Sequence, residues 1–154
     1  MQQRHLNRRQ YFAELANTSR DFYLDFLRPL MTLEEGTRIL EIGCGEGGNL
    51  LPFAEKGCKV TGIDISEWRI HQARTFFESC GRTGLFVCKD FLKTVAPSDE
   101  AERYDVILMH DVIEHIAPEQ KLQFLSHAKQ FLRQGGVVFV GFPAWQMPFG
   151  GHQR

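Results

Sequence analysis

The stretch ILEIGCGEGGNLLPFA, residues 39–54, decides how the rest of the chain is read. An apolar run interrupted by one acid, Glu41, has the length of a buried strand. Glycines then crowd the loop, and an amphipathic run follows. Gly43, Gly45 and Gly48 satisfy G-x-G-x-x-G, in which backbone N–H groups at a helix start approach an adenosine-bearing ligand. The loop alone does not say which such ligand, because both a pyrophosphate and a carboxylate suit an electropositive helix start.

Working outward, strands are predicted over 37–42, 59–65, 85–91, 104–112 and 137–142. Amphipathic helices fall between them. A weakly patterned helix covers 3–16; Thr18 and Asp21 then resemble a capping box before a face of Phe22, Phe26, Leu27 and Leu30. The helix after the glycine loop stops at Gly57. Ser66 caps a helix carrying Ile70, Ala73 and Phe77, which ends near Gly81. Pro118 opens the last helix, whose face is Leu122, Leu125, Ala128 and Leu132 and which the pair Gly135–Gly136 ends.

Short apolar strands alternating with helices define an α/β fold, a Rossmann-like doubly wound parallel sheet with helices on both faces. The expected organisation is a helical segment over 1–35, a core over 36–143 and a tail over 144–154, with the strands after the fifth apparently missing. Ligands of such sheets bind beyond the carboxyl ends of the strands. The glycine loop, Asp64, Asp90 and the pair His110–Asp111 all fall at those ends, so one pocket is expected along one edge.

Composition narrows the classes. At 43% hydrophobic, 24% charged and net charge −1, the chain is that of an ordinary cytoplasmic globular protein, with no electrostatic draw to nucleic acid or anionic membrane. Cys44, Cys58, Cys80 and Cys88 are scattered, without a disulfide or zinc pattern. Cys58 and Cys88 are expected as small buried hydrophobes, and Cys44 as a spacer within the loop.

Glu41 discriminates between ligands. An acid there disfavours a diphosphate and suits an ammonium or sulfonium; otherwise it pairs with a structural cation such as Arg38. Asp64 lies 21 positions after Gly43, where an acid accepts ribose hydroxyls, or else it supports a helix start. Ile65 would pack on an adenine face. Asp90 with Phe91 would meet the adenine edge, or Asp90 simply forms a turn.

Taken together, LEIGCGEGGN, Asp64, KDF at 89–91, YDVILMHDVIEHI and FLRQGGVVFVGFP resemble the class I S-adenosylmethionine-dependent methyltransferases of small-molecule type, over roughly 37–143. The resemblance implies S-adenosyl-L-methionine as cofactor, S-adenosyl-L-homocysteine as product and a small-molecule acceptor. It implies that Glu41, Gly43, Cys44 and Gly45 flank the amino-acid part of the cofactor. Asp64 would hold the ribose, Asp90 and Phe91 the adenine, and His110 and Asp111 would border the methyl group. RQGG departs from the family's Lys-Pro-Gly-Gly turn, and the family's sixth and seventh strands have no counterpart. VIEHI resembles the strand-four exit of quinone-precursor O-methyltransferases.

Three roles stay open for Glu114 and His115. His115 is a general base for a hydroxyl or amine acceptor; or Asp111, Glu114 and His115, with His152, ligate a divalent metal; or the pair walls the pocket. Trp145, Phe149 and His152 would form an acceptor-side lip, and Tyr11 and Tyr23 would fold over the cofactor. His127 is expected in solvent. Two rivals remain: an NAD(P)-dependent oxidoreductase, carried by the glycine fingerprint, and a non-catalytic cofactor-binding module. The exposed edge of strand five would favour a homodimer.

Overall fold

The computed structural model describes residues 7–142. Five strands form one parallel sheet: β1 (Arg38–Ile42), β2 (Lys59–Asp64), β3 (Leu85–Cys88), β4 (Tyr104–His110) and β5 (Leu132–Gly141), in the order β3-β2-β1-β4-β5. The order reverses between β1 and β4. That is where an open α/β sheet presents its ligand crevice.

Both faces of the central strands are dry. Ile39, Val106 and Leu108 point to one face, and Leu40, Ile42, Ile107 and Met109 to the other, as a two-residue period requires. The first face is covered by α1 (Arg8–Thr18), α2 (Leu24–Leu27), α3 (Leu51–Glu55) and α4 (Glu67–Ser79), the second by α5 (Pro118–Phe131). Each fully buried aliphatic side chain contributes about 1.5–3 kcal/mol. The helical segment expected over 1–35 packs into the same core as the sheet, through Phe12, Ala16, Tyr23 and Leu27. No helix of the described residues is long and apolar enough to cross a membrane.

Local punctuation works as expected at several points. The Ser66 hydroxyl accepts from the Arg69 amide, Pro118 stands in the first turn of α5, and Gly57 is left-handed after α3. Ile70, Ala73 and Phe77 are buried.

Five local expectations are corrected. Thr18 is helical and caps nothing; the chain passes from α1 through a π-turn, Ser19–Tyr23, into α2. A cap is worth about 1 kcal/mol. Here the buried Ser19 hydroxyl instead donates to the Asn49 carbonyl at 2.7 Å, which holds the helix down on the glycine loop. The π-turn adds a residue to the turn, so Tyr23 and Leu27 face inward while Phe22, Phe26 and Leu30 are exposed.

On α5 the buried face is Phe124, Ala128 and Phe131; Leu122 and Leu125 lie outside. The aromatic side chains carry more area to bury than the leucines do. The glycine pair does not end α5. Tyr104 pairs with Leu132 and Val106 with Val137, so β5 starts earlier and holds Gly135, left-handed, in a bulge. Finally, Cys88 is exposed, because β3 is an edge strand, whereas Cys58 is buried as expected.

Candidate functional site

The chemistry gathers at the carboxyl ends of β1, β2, β3 and β4. A cleft of about 500 Å³ is lined there by Gly43, Asp64, Ile65, Asp90, Phe91, Asp111 and His115, all foreseen, and by Arg69, Lys89, Val112, Ile116 and Phe124, which were not. A hollow of about 600 Å³ at the opposite sheet edge, beside Arg38, Lys59 and Arg82, lies at the strands' amino ends, away from the glycine loop. The smaller cleft is where open sheets hold ligands.

The glycine loop is pinned from below. The amides of Gly43 and Cys44 both donate to the Ile63 carbonyl, at 2.8 and 3.1 Å. Gly43 has φ +72°, and a Cβ there would meet Val112 Cγ2 at 2.5 Å, so glycine is required on both counts. Gly45 donates to Asp64 Oδ2 at 2.9 Å, and Ser66 donates to Asp64 Oδ1 at 2.8 Å. Asp64 thus ties the loop to the start of α4. A carboxylate has about four lone-pair sites, so capacity remains on the cleft side. The two readings of Asp64 do not compete.

Glu41 is 1% exposed. Its Oε1 accepts from Asn49 Nδ2 at 2.7 Å, while its Oε2 is buried with no hydrogen-bond partner in the structure. Burial, with a smaller push from the Asp64 charge, raises its pKa from 4.5 to about 8, against the opposing Asn49 bond. The pairing with Arg38 does not form. Residues three apart on a strand point to opposite faces, and the Arg38 guanidinium lies 5.6 Å from the Tyr104 ring centre.

Cys44 packs into the core against Gly62, and burial raises its thiol well above its ordinary pKa, which suits a spacer. Asp90 forms the turn anticipated as its alternative: Oδ1 accepts from the Leu92 amide at 3.1 Å and Lys93 Nζ lies 3.7 Å from Oδ2. It lines the cleft as well. The Phe91 ring sits among Phe124, His127 and Phe131. His127 is therefore not a solvent residue; its Nε2 is 3.2 Å from the Phe91 carbonyl.

At the tip of β4, His110 Nδ1 lies 2.5 Å from the Tyr23 hydroxyl, and its Nε2 lies 3.4 Å from Asp111 Oδ2. Asp111 has φ +53°, in the left-handed region that side chains avoid. Glu114 is half-buried and His115 exposed at the cleft rim. Among the described residues no group of three or more His, Cys, Asp or Glu side chains is arranged to hold a metal ion. His152, the fourth member of the metal alternative, lies outside the described residues, as do Trp145 and Phe149.

Sequence reasoning missed Asn49, Glu46 and the partner of Tyr23. Asn49 and Glu46 stand inside the opening stretch, where an amide and an acid among glycines were the available signal, and the structure buries both. Glu46 pairs with Arg8 of α1.

The donor set fits a cationic nucleoside. Asp64 and Asp111, at the tips of β2 and β4, line the cleft beside Gly43, and Glu41 of β1, buried behind that lining against Asn49, keeps one carboxylate oxygen without a hydrogen-bond partner. Comparison with known proteins agrees. A methyltransferase-domain family model matches residues 8–147, and the chain belongs to that family. It is 36% identical over 115 residues to the ubiquinone biosynthesis O-methyltransferase of Rhizobium leguminosarum bv. trifolii (strain WSM2304), covering 73% of this chain and 41% of that protein. The chain thus spans about two fifths of the length of the curated relatives it matches.

Among solved structures, the S-adenosylmethionine-dependent methyltransferase of Thiobacillus denitrificans in complex with S-adenosyl-L-homocysteine aligns with TM-score 0.63 at 27% identity, over 80% of this chain and 49% of that one. A methyltransferase of the same cofactor class from Clostridium acetobutylicum ATCC 824, at 18% identity and TM-score 0.69 over 80% of this chain and 49% of that one, shares the fold.

Proposed function

We propose that this chain carries the cofactor-binding and methyl-transfer end of an S-adenosylmethionine-dependent methyltransferase acting on a hydroxyl group of a small molecule. The observation that supports it best is Glu41, a buried carboxylate beneath the glycine loop with one oxygen lacking a donor. A positively charged ligand favours loss of the Glu41 proton and supplies the freed oxygen with a donor, whereas a diphosphate would hold the acid in its neutral form. Bound there, S-adenosylmethionine supplies an electrophilic methyl group on a charged sulfur and leaves as S-adenosylhomocysteine.

The chain's own residues do the rest. Asp64 accepts the ribose hydroxyls, and Ile65, 77% exposed at the rim, offers an apolar face for the adenine beside Asp90 and Phe91. His110 and Asp111 border the methyl group. His115, at the rim, takes the proton from the acceptor, with Glu114 beside it. Alignment and exclusion of water carry most of the acceleration, since the methyl is already activated. The named relatives favour oxygen over nitrogen as the acceptor atom. A cytoplasmic setting, no nucleic-acid or membrane partner, and a homodimer paired along β5 belong to the same reading.

Calorimetric titration tests it. S-adenosylmethionine and S-adenosylhomocysteine bind, and NAD does not. Asp64→Ala weakens both by about 1–3 kcal/mol through lost charged hydrogen bonds, and His115→Ala leaves them unchanged. Binding of NAD alone would overturn the reading in favour of an oxidoreductase. Cofactor binding without methylation of any hydroxyl, amine or thiol in a broad panel would favour a non-catalytic module.

A further inference from the structure

We propose that Tyr23 is a positioning residue that acts through His110 to direct the Asp111 carboxylate to the sulfonium end of the cofactor site. The site thereby favours the charged cofactor over the neutral thioether left after transfer. The inference rests on the methyltransferase reading above and goes beyond it, to a residue from outside the sheet and to discrimination between the two ligands.

The geometry runs in one line. The Tyr23 hydroxyl is 2.5 Å from His110 Nδ1, and His110 Nε2 is 3.4 Å from Asp111 Oδ2. The Asp111 carboxylate only accepts, so His110 presents to it the nitrogen that carries hydrogen, Nε2, and leaves Nδ1 to accept from the Tyr23 phenol, which burial keeps protonated.

The ring has little freedom to turn: a Cβ on Gly141 would lie 2.9 Å from His110 Nδ1, and Tyr23 itself packs on Phe139 with ring centres 4.7 Å apart. Asp111 is held in its left-handed conformation, with its amide donating to the Gly141 carbonyl at 2.9 Å. Such strain persists only where the surroundings over-determine it, and it concentrates at functional sites.

Asp111 lines the cleft beside Gly43 and Val112, and its carboxylate is half-exposed. It also lies within electrostatic range of Tyr11 and Tyr23. The amino-terminal helix therefore brings two phenols to the tips of β1 and β4. The π-turn is the device that aims Tyr23 there in place of Phe22, which is exposed. A carboxylate at that place attracts a sulfonium and is indifferent to a thioether sulfur.

The test compares affinities for S-adenosylmethionine and S-adenosylhomocysteine by calorimetry in the full chain, Tyr23→Phe, Asp111→Asn and the double variant. Phenylalanine keeps the ring packing, and asparagine tolerates a left-handed backbone. The expected result is a drop of about three- to tenfold in the ratio of the two affinities in each single variant, with no further drop in the double variant, because both act on one carboxylate. In parallel, the ¹⁵N spectrum of His110 shows one tautomer in the wild type and a mixture in Tyr23→Phe. Unchanged ratios in the single variants, with both ligands still bound, overturn the inference and leave the methyltransferase reading intact. Losses that multiply in the double variant also overturn it. A wild-type chain that binds neither ligand removes the methyltransferase reading and the inference with it.

Discussion

Glu41 shows what burial does to a single acid. Folding takes its carboxylate out of water and gives it one donor, Asn49. Its pKa rises from 4.5 to about 8, so between those pH values the folded chain keeps a proton that the unfolded chain has lost. Stability must then fall as pH rises through that window, by up to a few kcal/mol in order of magnitude, and stay low above it. Glu41→Gln removes the decline: without ligand, the variant melts at a higher temperature than the wild type at pH 8 and at a similar one at pH 4. Thermal melts across pH check this, and parallel curves would refute it. The same substitution weakens binding of a sulfonium nucleoside, since the unmatched oxygen is then gone. An acid destabilised when empty and satisfied when filled is what the proposed role of Glu41 as a ligand residue requires.

At the scale of elements, α5 shows where pattern reading fails. Two overlapping faces offer apolar residues at helical spacing, and leucine count alone points to the one holding Leu122 and Leu125. The sheet takes Phe124, Ala128 and Phe131, whose rings close around Phe91 below the cleft. Phe124→Ala is expected to cost about 3–5 kcal/mol, whereas Leu122→Ala stays within about 0.5 kcal/mol. Urea unfolding of the two variants measures both, and equal losses would reinstate the leucine face. The junction of α5 and β5 failed for a related reason. Gly135 and Gly136 read locally as a helix stop, yet pairing with β4 extends the strand across them and absorbs the extra residues as a bulge.

For the whole molecule, the outer edge of β5 is unpaired among the described residues, and Val138, Val140 and Phe142 are partly or largely exposed beside it. An open apolar edge invites a further strand. Sedimentation of the chain at rising concentration is expected to show a monomer passing to a dimer. A monomer throughout would mean that the edge is not a self-pairing surface.

The amino-acid sequence by itself determined the α/β class, the five strands in order and the acids at their tips. Those depend on signals carried within a few residues: strand length, helical period, glycine and proline punctuation, and the rule that parallel strands end on one edge. Tertiary structure alone decided that Tyr23 meets His110 across 87 positions and that Ser19 anchors the first helix to Asn49. Contacts of that range leave no local trace, because each is selected by how whole faces pack and not by what stands beside it in the chain.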